Sequence, residues 1–323
     1  MIKLRHRHAL ARILRHDYSG MVCLQVTMGT ITKRYARLGT LKAYYRLTKP
    51  GIIYGNIFTA TAGFLLASGR HINFGLMLAT LLGIALVIAC GCVYNNYLDR
   101  GIDVKMARTK RRALVKGTIS NQAALIYGTV LGVLGFIVLV SYTNTLTAIL
   151  GIIALTVYVA LYGIAKRRSV HGTLVGSIAG ALPPLAGYTA VSNHINVAAV
   201  LIFFIVTLWQ MPHFYSIAIF RFDDYKAAGL PVLPVEKGIL AAKIQILLYV
   251  AAFIVATLLL TMLGYTGYIY LAVATVLGFR WLWLAIQGFR ANDDKKWARK
   301  MFFTSLLIIS ILSVTISVDA WLI

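Results

Sequence analysis

The sequence predicts an all-α protein that is embedded in a membrane as a polytopic bundle of nine spanning helices. Hydrophobic residues make up 59% of the chain. Charged residues make up only 13%, about half of the roughly 25% that is typical of soluble domains. The charges also leave six long charge-free stretches, at 50–69, 71–98, 117–165, 169–220, 244–279 and 301–318.

The lengths of these stretches give the helix count. One helix needs about 20 apolar residues to cross the hydrocarbon core, so the first, second and last stretches hold one helix each. The other three hold two each, because polar or Gly-rich breaks divide them at 141–145, 192–196 and 264–268. The eighth helix carries Arg280, which is expected to snorkel or to face protein.

Small residues and prolines indicate how the central helices pack. Gly172, Gly176 and Gly180 recur every fourth position and should let a neighbouring helix approach closely. Pro183-Pro184 and Pro212 are expected to break or kink the fifth and sixth helices. These features fit either an internal pocket or simple helix packing.

The net charge of +23 is distributed according to topology. Lys and Arg crowd the first 49 residues and the loops at 100–116, 166–168, 221–243 and 290–300, whereas the alternate loops carry almost none. The positive-inside rule therefore predicts a cytoplasmic N-terminus and an outside C-terminus, and the expected location is the cell inner membrane. Topology and anionic membrane lipid explain the basic excess, so no nucleic-acid partner is expected.

Residues 1–46 form a basic N-terminal extension that is expected to be flexible, and residues 47–323 form one transmembrane domain. The extension has no long apolar core of the kind found in a secretory signal peptide. Its Arg-rich, acid-poor composition also fits a mitochondrial leader. A third interpretation is that translation starts at Met28 and that the first 27 residues have no function.

Acidic residues are rare and clustered. The chain has nine, and Asp99 and Asp103 end the second predicted helix. Residues four apart share a helix face, so Asn95, Asp99 and Asp103 form one row of oxygen-bearing side chains. Mg²⁺ prefers such oxygens together with substrate phosphates. The basic residues that follow could hold phosphate, and they are Lys105, Arg108, Lys110, Arg111, Arg112 and Lys116.

This row has two interpretations. It is a metal and phosphate site, or it is a helix end whose acids pair with nearby Arg in a loop that is basic for topology alone. A second cluster, with Asp223, Asp224 and Glu236, follows the sixth helix in the equivalent place. The two clusters suggest a weak internal duplication with a two-sided site between half-bundles.

Several motifs resemble those of one known family. The run NNYLDRGID at 95–103 is followed by MARTKRRALV at 106–115, and LTKPG stands at 47–51. GALPP at 180–184, WQMPH at 209–213 and DYKAAGLPVLP at 224–234 follow in order. From 47 to the C-terminus the chain resembles the protoheme IX farnesyltransferases, which belong to the UbiA superfamily of intramembrane prenyltransferases.

The resemblance implies both a fold and a reaction. It implies a nine-helix UbiA-type bundle that transfers farnesyl from farnesyl diphosphate to a vinyl group of haem b, giving haem O and diphosphate. It implies Mg²⁺ as the cofactor and a handover of the product to a terminal oxidase or to haem A synthase. The alternative is a UbiA-type enzyme with another acceptor, such as a quinone precursor. A transporter is disfavoured, because both acidic clusters fall at one predicted face.

The resemblance also implies roles for individual residues. Asn95, Asp99 and Asp103 match the first catalytic motif, and Asp224 matches the last Asp of the second. The metal ligands would be Asp99, Asp103 and Asp224. Phe220 stands where the superfamily often has another Asp, which puts ligation on that side in question. Diphosphate would be bound by Arg108, Arg112 and Lys116.

Haem binding is assigned to the second cluster. Arg221 and Lys226 could hold the two propionates at the membrane surface. His213 could ligate the haem iron or accept a proton. The alternative for His213 is a buried, hydrogen-bonded residue packed beside Pro212.

Overall fold

The computed structural model describes residues 39–322, and within them the chain consists of helices and turns without strands. Residues 39–47 are helical, whereas residues 1–38 lie outside the described part, so the flexible extension over 1–46 stays a prediction. Nine helices in the described part are long and apolar enough to cross a membrane, which confirms the predicted count. They are α1 Pro50–Ser68, α2 Phe74–Asp103, α3 Asn121–Tyr142, α4 Thr145–Arg168, α5 Gly172–Ser192, α6 Val197–Phe220, α7 Leu233–Met262, α8 Tyr268–Arg290 and α9 Asp294–Leu322. A short helix, Phe222–Ala228, follows α6.

Side-chain caps start several of these helices. Asn73, Ser120, Asn144 and Asn196 each accept a hydrogen bond from the backbone N–H three residues later, at 2.9–3.1 Å. Each cap satisfies one of the backbone donors that a helix start leaves unpaired. Asn144 and Asn196 lie in two of the three predicted breaks, so their caps explain why those breaks became helix ends.

The nine helices form a closed bundle. Each helix contacts the next along the chain, and α9 returns to contact α1. In addition, α5 packs against α1, and α6 packs against α9. α5 is the most deeply enclosed of the nine described helices, because 67% of its 18-residue apolar stretch is buried.

Glycines allow the closest helix contacts. A Cβ on Gly63 of α1 would overlap the carbonyl oxygen of Pro184, and a Cβ on Gly187 of α5 would overlap that of Ala60. The predicted glycine row of α5 also lies at interfaces, since a Cβ on Gly176 would lie 2.9 Å from the Tyr162 ring. Small residues at their interfaces let membrane helices approach closely and gain van der Waals contact.

Of the two outcomes expected of the prolines, a break or a kink, the break is absent from the central helices. α5 runs without interruption through Pro183 and Pro184, and α6 runs through Pro212. Proline fixes φ within the helical range and removes one backbone donor, so a helix enclosed by neighbours can continue through it. All three prolines are buried inside the bundle.

Ion pairs gather one set of helix ends on a single face, here called the basic face. Lys166 at the end of α4 pairs with Asp99 near the end of α2. Lys243 near the start of α7 pairs with Asp294 at the start of α9. On the other face, Arg70 after α1 donates to the carbonyl oxygen of Leu322 at 2.8 Å.

Candidate active site

The predicted row lies on α2 where this helix reaches the basic face. Asn95, Asp99 and Asp103 are all buried, with 3%, 8% and 4% of their surface exposed. Their spacing places them one turn apart on the same side of the helix. Buried carboxylates require partners, because an unpaired charge away from water is very costly.

Cations from α4 neutralise Asp99. The Lys166 Nζ lies 2.5 Å from Asp99 Oδ2, and a guanidinium nitrogen of Arg167 lies 3.3 Å from Oδ1. Arg167 also donates to the carbonyl oxygen of Leu98 at 2.6 Å. The basic run at 166–168 fits the topology signal, so these two cations were not predicted as site residues.

The loop after α2 folds back over Asp103. Arg112 lies 2.7 Å from Asp103 Oδ2, and the Thr109 hydroxyl donates to the Asp103 carbonyl oxygen at 3.0 Å. Met106 is buried and fixes this loop to the bundle. Arg112, which was predicted to bind diphosphate, therefore reaches the carboxylate row.

The residue before α1 completes this side of the site. The partly buried Lys49 donates from Nζ to Asn95 Oδ1 at 2.5 Å. The pKa of Lys49 is lowered to about 8, chiefly by burial; the positive charge of Arg112 contributes to the lowering, while Cys92 and Asp99 oppose it. Asn96 binds the same segment, because its Nδ2 donates to the Leu47 carbonyl oxygen at 2.7 Å.

A turn of π-helix in α4 brings aromatic rings beside the charges. The turn spans Val157–Leu161, and it precedes Tyr162. The rings of Tyr158 and Tyr162 stack with centroids 5.8 Å apart, and the Lys166 ammonium lies 5.0 Å from the Tyr162 ring centre. Such π-helical turns occur frequently at functional sites.

The second acidic cluster lies on the short helix after α6. Asp224 pairs with Arg221 at 3.8 Å, while Asp223 is exposed and pairs with Lys295 at 2.5 Å. Burial raises the pKa of the neighbouring Tyr225, and the positive charge of Arg108 opposes that rise. The influence of Arg108 on Tyr225 means that the loop after α2 approaches the second cluster.

The other predicted site residues have different surroundings. Arg108, Lys116 and Lys226 are exposed on the basic face, as is Arg221. His213 is buried, and its Nδ1 lies 2.7 Å from the Ser305 hydroxyl. Its ring stacks on Trp209 and contacts Phe302 and Phe214. These contacts favour the packed interpretation of His213.

The carboxylates on α2 meet part of what a magnesium site requires. In the described part of the chain, no three acidic, histidine or cysteine side chains lie close enough to hold one ion. Mg²⁺ usually takes one or two carboxylates and completes its shell with waters and substrate phosphates. Asp99 and Asp103 lie on adjacent turns and could supply that pair, with cations beside them for phosphate oxygens.

Residues 56–307 match the UbiA prenyltransferase family. The protein therefore belongs to this family and is a multi-pass membrane prenyltransferase. Within the family it is similar to protoheme IX farnesyltransferase 2 of Pseudomonas putida. The two are 54% identical over 282 residues, which cover 87% of this chain and 96% of the relative.

Two solved structures have the same fold. Digeranylgeranylglyceryl phosphate synthase superposes with a TM-score of 0.74 at 21% identity, covering 88% of this chain and 100% of that protein. A UbiA homolog from Archaeoglobus fulgidus bound to GPP and Mg²⁺ superposes with a TM-score of 0.63 at 18% identity. That match covers 85% of this chain and 99% of the homolog.

Proposed function

We propose that this protein transfers the farnesyl group of farnesyl diphosphate to a vinyl group of haem b, giving haem O and diphosphate. The observation that carries the proposal is the 54% identity to a protoheme IX farnesyltransferase over 96% of that relative. This similarity extends beyond the carboxylate row to the whole transmembrane domain. It therefore includes the regions where the acceptor as well as the diphosphate must bind.

The charges around α2 suit a diphosphate. Two buried carboxylates, Asp99 and Asp103, are faced by more cations than they need for neutrality. The cations are Lys49, Lys166, Arg167 and Arg112. Diphosphate can use this positive excess, because each cation can turn from a carboxylate to a phosphate oxygen. Arg108 and Lys116, exposed on the same face, would contact the outer phosphate.

The reaction breaks the allylic C–O bond, and its electron pair leaves with the diphosphate. The haem vinyl group then forms the new C–C bond, water adds to the resulting carbon cation, and one proton is released. Lys166 and Arg167 would stabilise the charge that develops on the leaving group. Tyr158 and Tyr162, stacked beside them, would shield the allylic cation from early attack by water.

Magnesium dependence is part of the proposal. Asp99 and Asp103 would hold the ion, and Asp224 would contribute from the second cluster. Bound Mg²⁺ would neutralise the diphosphate charge while the C–O bond breaks. The Mg²⁺-bound UbiA homolog from Archaeoglobus fulgidus supports a divalent ion in this fold.

A direct assay tests the function. Purified protein is incubated with farnesyl diphosphate, haem b and Mg²⁺, and the products are separated by chromatography. Haem O is the expected product, and a chelator should suppress it. Prenylation of a quinone precursor without any haem product would instead establish the alternative acceptor class.

The haem side of the site rests on Arg221 and Lys226. Both are exposed on the basic face, where they could bind the propionates and leave the vinyl edge directed inward. Arg221 already pairs with Asp224, so a propionate would have to compete with this carboxylate. His213 would support the acceptor side through its packed ring rather than by ligating iron.

The propionate assignment predicts a selective defect. Arg221→Glu with Lys226→Glu should raise the KM for haem b about tenfold or more and change that for farnesyl diphosphate less, because two attractions become repulsions. Lys226→Glu alone avoids disturbing Asp224, and Lys237→Glu is a matched control on the same face. Equal rises in both KM values for Lys226→Glu would contradict the assignment.

The membrane context completes the proposal. We infer that the basic face is cytoplasmic, that the C-terminus is outside and that the protein resides in the cell inner membrane. Haem O made there would pass to a terminal oxidase or to haem A synthase.

A further inference from the structure

A groove on the membrane-facing side of α8 and α9 lies outside the proposed active site. It has a volume of about 680 Å³, and both helices contribute residues at helical spacing to its walls. Its charged and aromatic lining residues are Arg280, Lys296, Arg299, Lys300, Trp283 and Phe303. No residue of the predicted catalytic, diphosphate or haem sets lines this groove.

The positive charges of the groove are not neutralised by acids. None of its four cations forms an ion pair with a carboxylate in the part of the chain that the structure describes. This differs from the site around α2, where Asp99 and Asp103 are both paired. Nearby Lys295 also has a partner, Asp223. The groove therefore has a local excess of positive charge.

Topology alone does not explain the deepest of these cations. Arg280 lies ten residues before Arg290 at the end of α8, which is about 15 Å along the helix axis. A charge at that depth needs a partner or a path to the interface, and such residues mark functional sites by default. Arg280 is exposed, so its head group can extend along the groove toward the cations of α9.

The apolar walls indicate what kind of anion fits. Trp283 is 63% exposed and Phe303 is 60% exposed, and each lies within the groove beside a cation. An exposed Trp ring near the membrane–water interface is typical of contact with lipid at head-group level. Basic pockets between membrane helices bind anionic lipid head groups.

We propose that this groove is a binding site for an anionic diacyl phospholipid. Arg280, Arg299 and Lys300 would bind the phosphodiester, and Lys296 would meet the outer part of the head group. The acyl chains would lie along Trp283 and Phe303. Because α9 also carries Lys295, which pairs with Asp223, the bound lipid would hold the start of α9 beside the second cluster.

The test compares lipids on the full-length purified protein. Delipidated protein is titrated with phosphatidylglycerol or phosphatidylcholine, and bound lipid is counted by native mass spectrometry. Phosphatidylglycerol should be retained more strongly than phosphatidylcholine. Arg280→Gln with Lys300→Gln should weaken phosphatidylglycerol binding about 30-fold, since the loss of each contact between a cation and the anionic head group lowers the affinity about fivefold.

The matched control removes the same charge elsewhere on the basic face. Arg168→Gln with Lys237→Gln should keep wild-type lipid binding, because both residues are exposed and neither lines the groove. Equal weakening by both double variants would overturn the proposal, as would equal affinity for the two lipids. Displacement of the lipid by glycerol phosphate would assign the groove to a free phosphate. Displacement by haem b would assign it to the acceptor, and either result would also overturn the proposal.

Discussion

Individual residues of the site are held by partners from distant parts of the chain. Asp99 on α2 is neutralised by Lys166 and Arg167, which lie 67 and 68 residues away in sequence. Asn95 is bound by Lys49 across 46 residues. Because each pair joins two elements, the carboxylate row has a defined position before any substrate arrives. Pre-positioned groups of this kind stabilise developing charge without reorganising during the reaction.

The carboxylate row predicts a large loss of activity on neutralisation. Asp99→Asn and Asp103→Asn should each lower turnover about 100-fold or more, because in the proposed mechanism each removes a carboxylate that would hold the metal ion beside the diphosphate. Haem O formation by the purified variants measures this. Asp99→Asn also leaves Lys166 without its carboxylate, so the thermal unfolding of each variant in detergent checks that the loss does not come from misfolding.

Asp223 provides the matched control for these substitutions. It is also an Asp on the basic face, but it is exposed and pairs only with the exposed Lys295. Exposed pairs contribute little, so Asp223→Asn should keep near-normal turnover. Turnover near the wild-type value in Asp99→Asn or Asp103→Asn would contradict the metal assignment.

Lys49 predicts a dependence on pH. A lysine whose folded pKa is lowered to about 8 carries its charge below that pH and loses it as the pH rises through 8. If this charge attracts diphosphate, affinity for farnesyl diphosphate should fall across the same range. Binding measured in a pH series on either side of 8 would reveal the decline.

Substitution separates Lys49 from other titrating groups. Arginine stays charged throughout this range, so Lys49→Arg should remove the decline around pH 8. Lys49→Gln should bind weakly at every pH. The same decline in Lys49→Arg as in the wild type would assign the pH effect to another residue.

Residue patterns allowed one half of the site to be predicted. Asn95, Asp99 and Asp103 could be grouped because helix geometry fixes residues four apart on one face. Lys49 and Lys166 could not, because they arrive from other helices and their basic character also fits the topology signal. The interpretation that the acids pair with nearby Arg is met at Asp103, which pairs with Arg112, whereas the metal and phosphate interpretation stays a prediction.

At the scale of helices, the contact between α1 and α5 is the tightest that the glycines reveal. Gly63 and Gly187 each face a backbone carbonyl of the other helix, and a backbone atom cannot move aside as a flexible side chain can. α1 follows Lys49, and α5 follows the α4 end that carries Lys166. Their packing therefore sets the distance between two of the cations that surround the carboxylate row.

This contact predicts a strong effect of one methyl group. Gly63→Ala should destabilise the bundle by about 1–3 kcal/mol, because overpacking forces the two helices apart. Gly55→Ala on the same helix is the control, since nothing lies within 4 Å of a Cβ at that position. Thermal unfolding of the two variants in detergent measures the difference. Equal stability would mean that α1 and α5 can separate without cost.

The number of helices could be predicted from the sequence, but their course through the prolines could not. Charge-free length and polar breaks gave all nine described spans, because hydrocarbon thickness fixes helix length. Pro183 and Pro212 do not end their helices, an outcome that cannot be predicted by treating each helix in isolation. Enclosure by neighbouring helices is a tertiary property that a proline in the sequence does not reveal.

The whole molecule has two unlike faces. In the described transmembrane part, every Lys and Arg except Arg70 and Arg280 lies in or beside the loops of the basic face. The other face is joined mainly by neutral groups, such as the Asn144 side chain donating to the Thr189 carbonyl oxygen at 2.7 Å. Charge asymmetry of this kind sets the orientation of membrane proteins.

Orientation can be measured with single cysteines and a membrane-impermeant thiol reagent. We expect Tyr268→Cys and His194→Cys to react in intact cells, because both lie exposed on the face away from the basic loops. Arg168→Cys and Lys237→Cys should react only after lysis. The wild type gives the background, and Cys90 and Cys92 are buried within it. With the basic face in the cytoplasm, the candidate active site would face the compartment that holds soluble, charged diphosphate esters. The reverse labelling pattern would mean that the positive-inside rule fails for this chain and that the C-terminus is cytoplasmic.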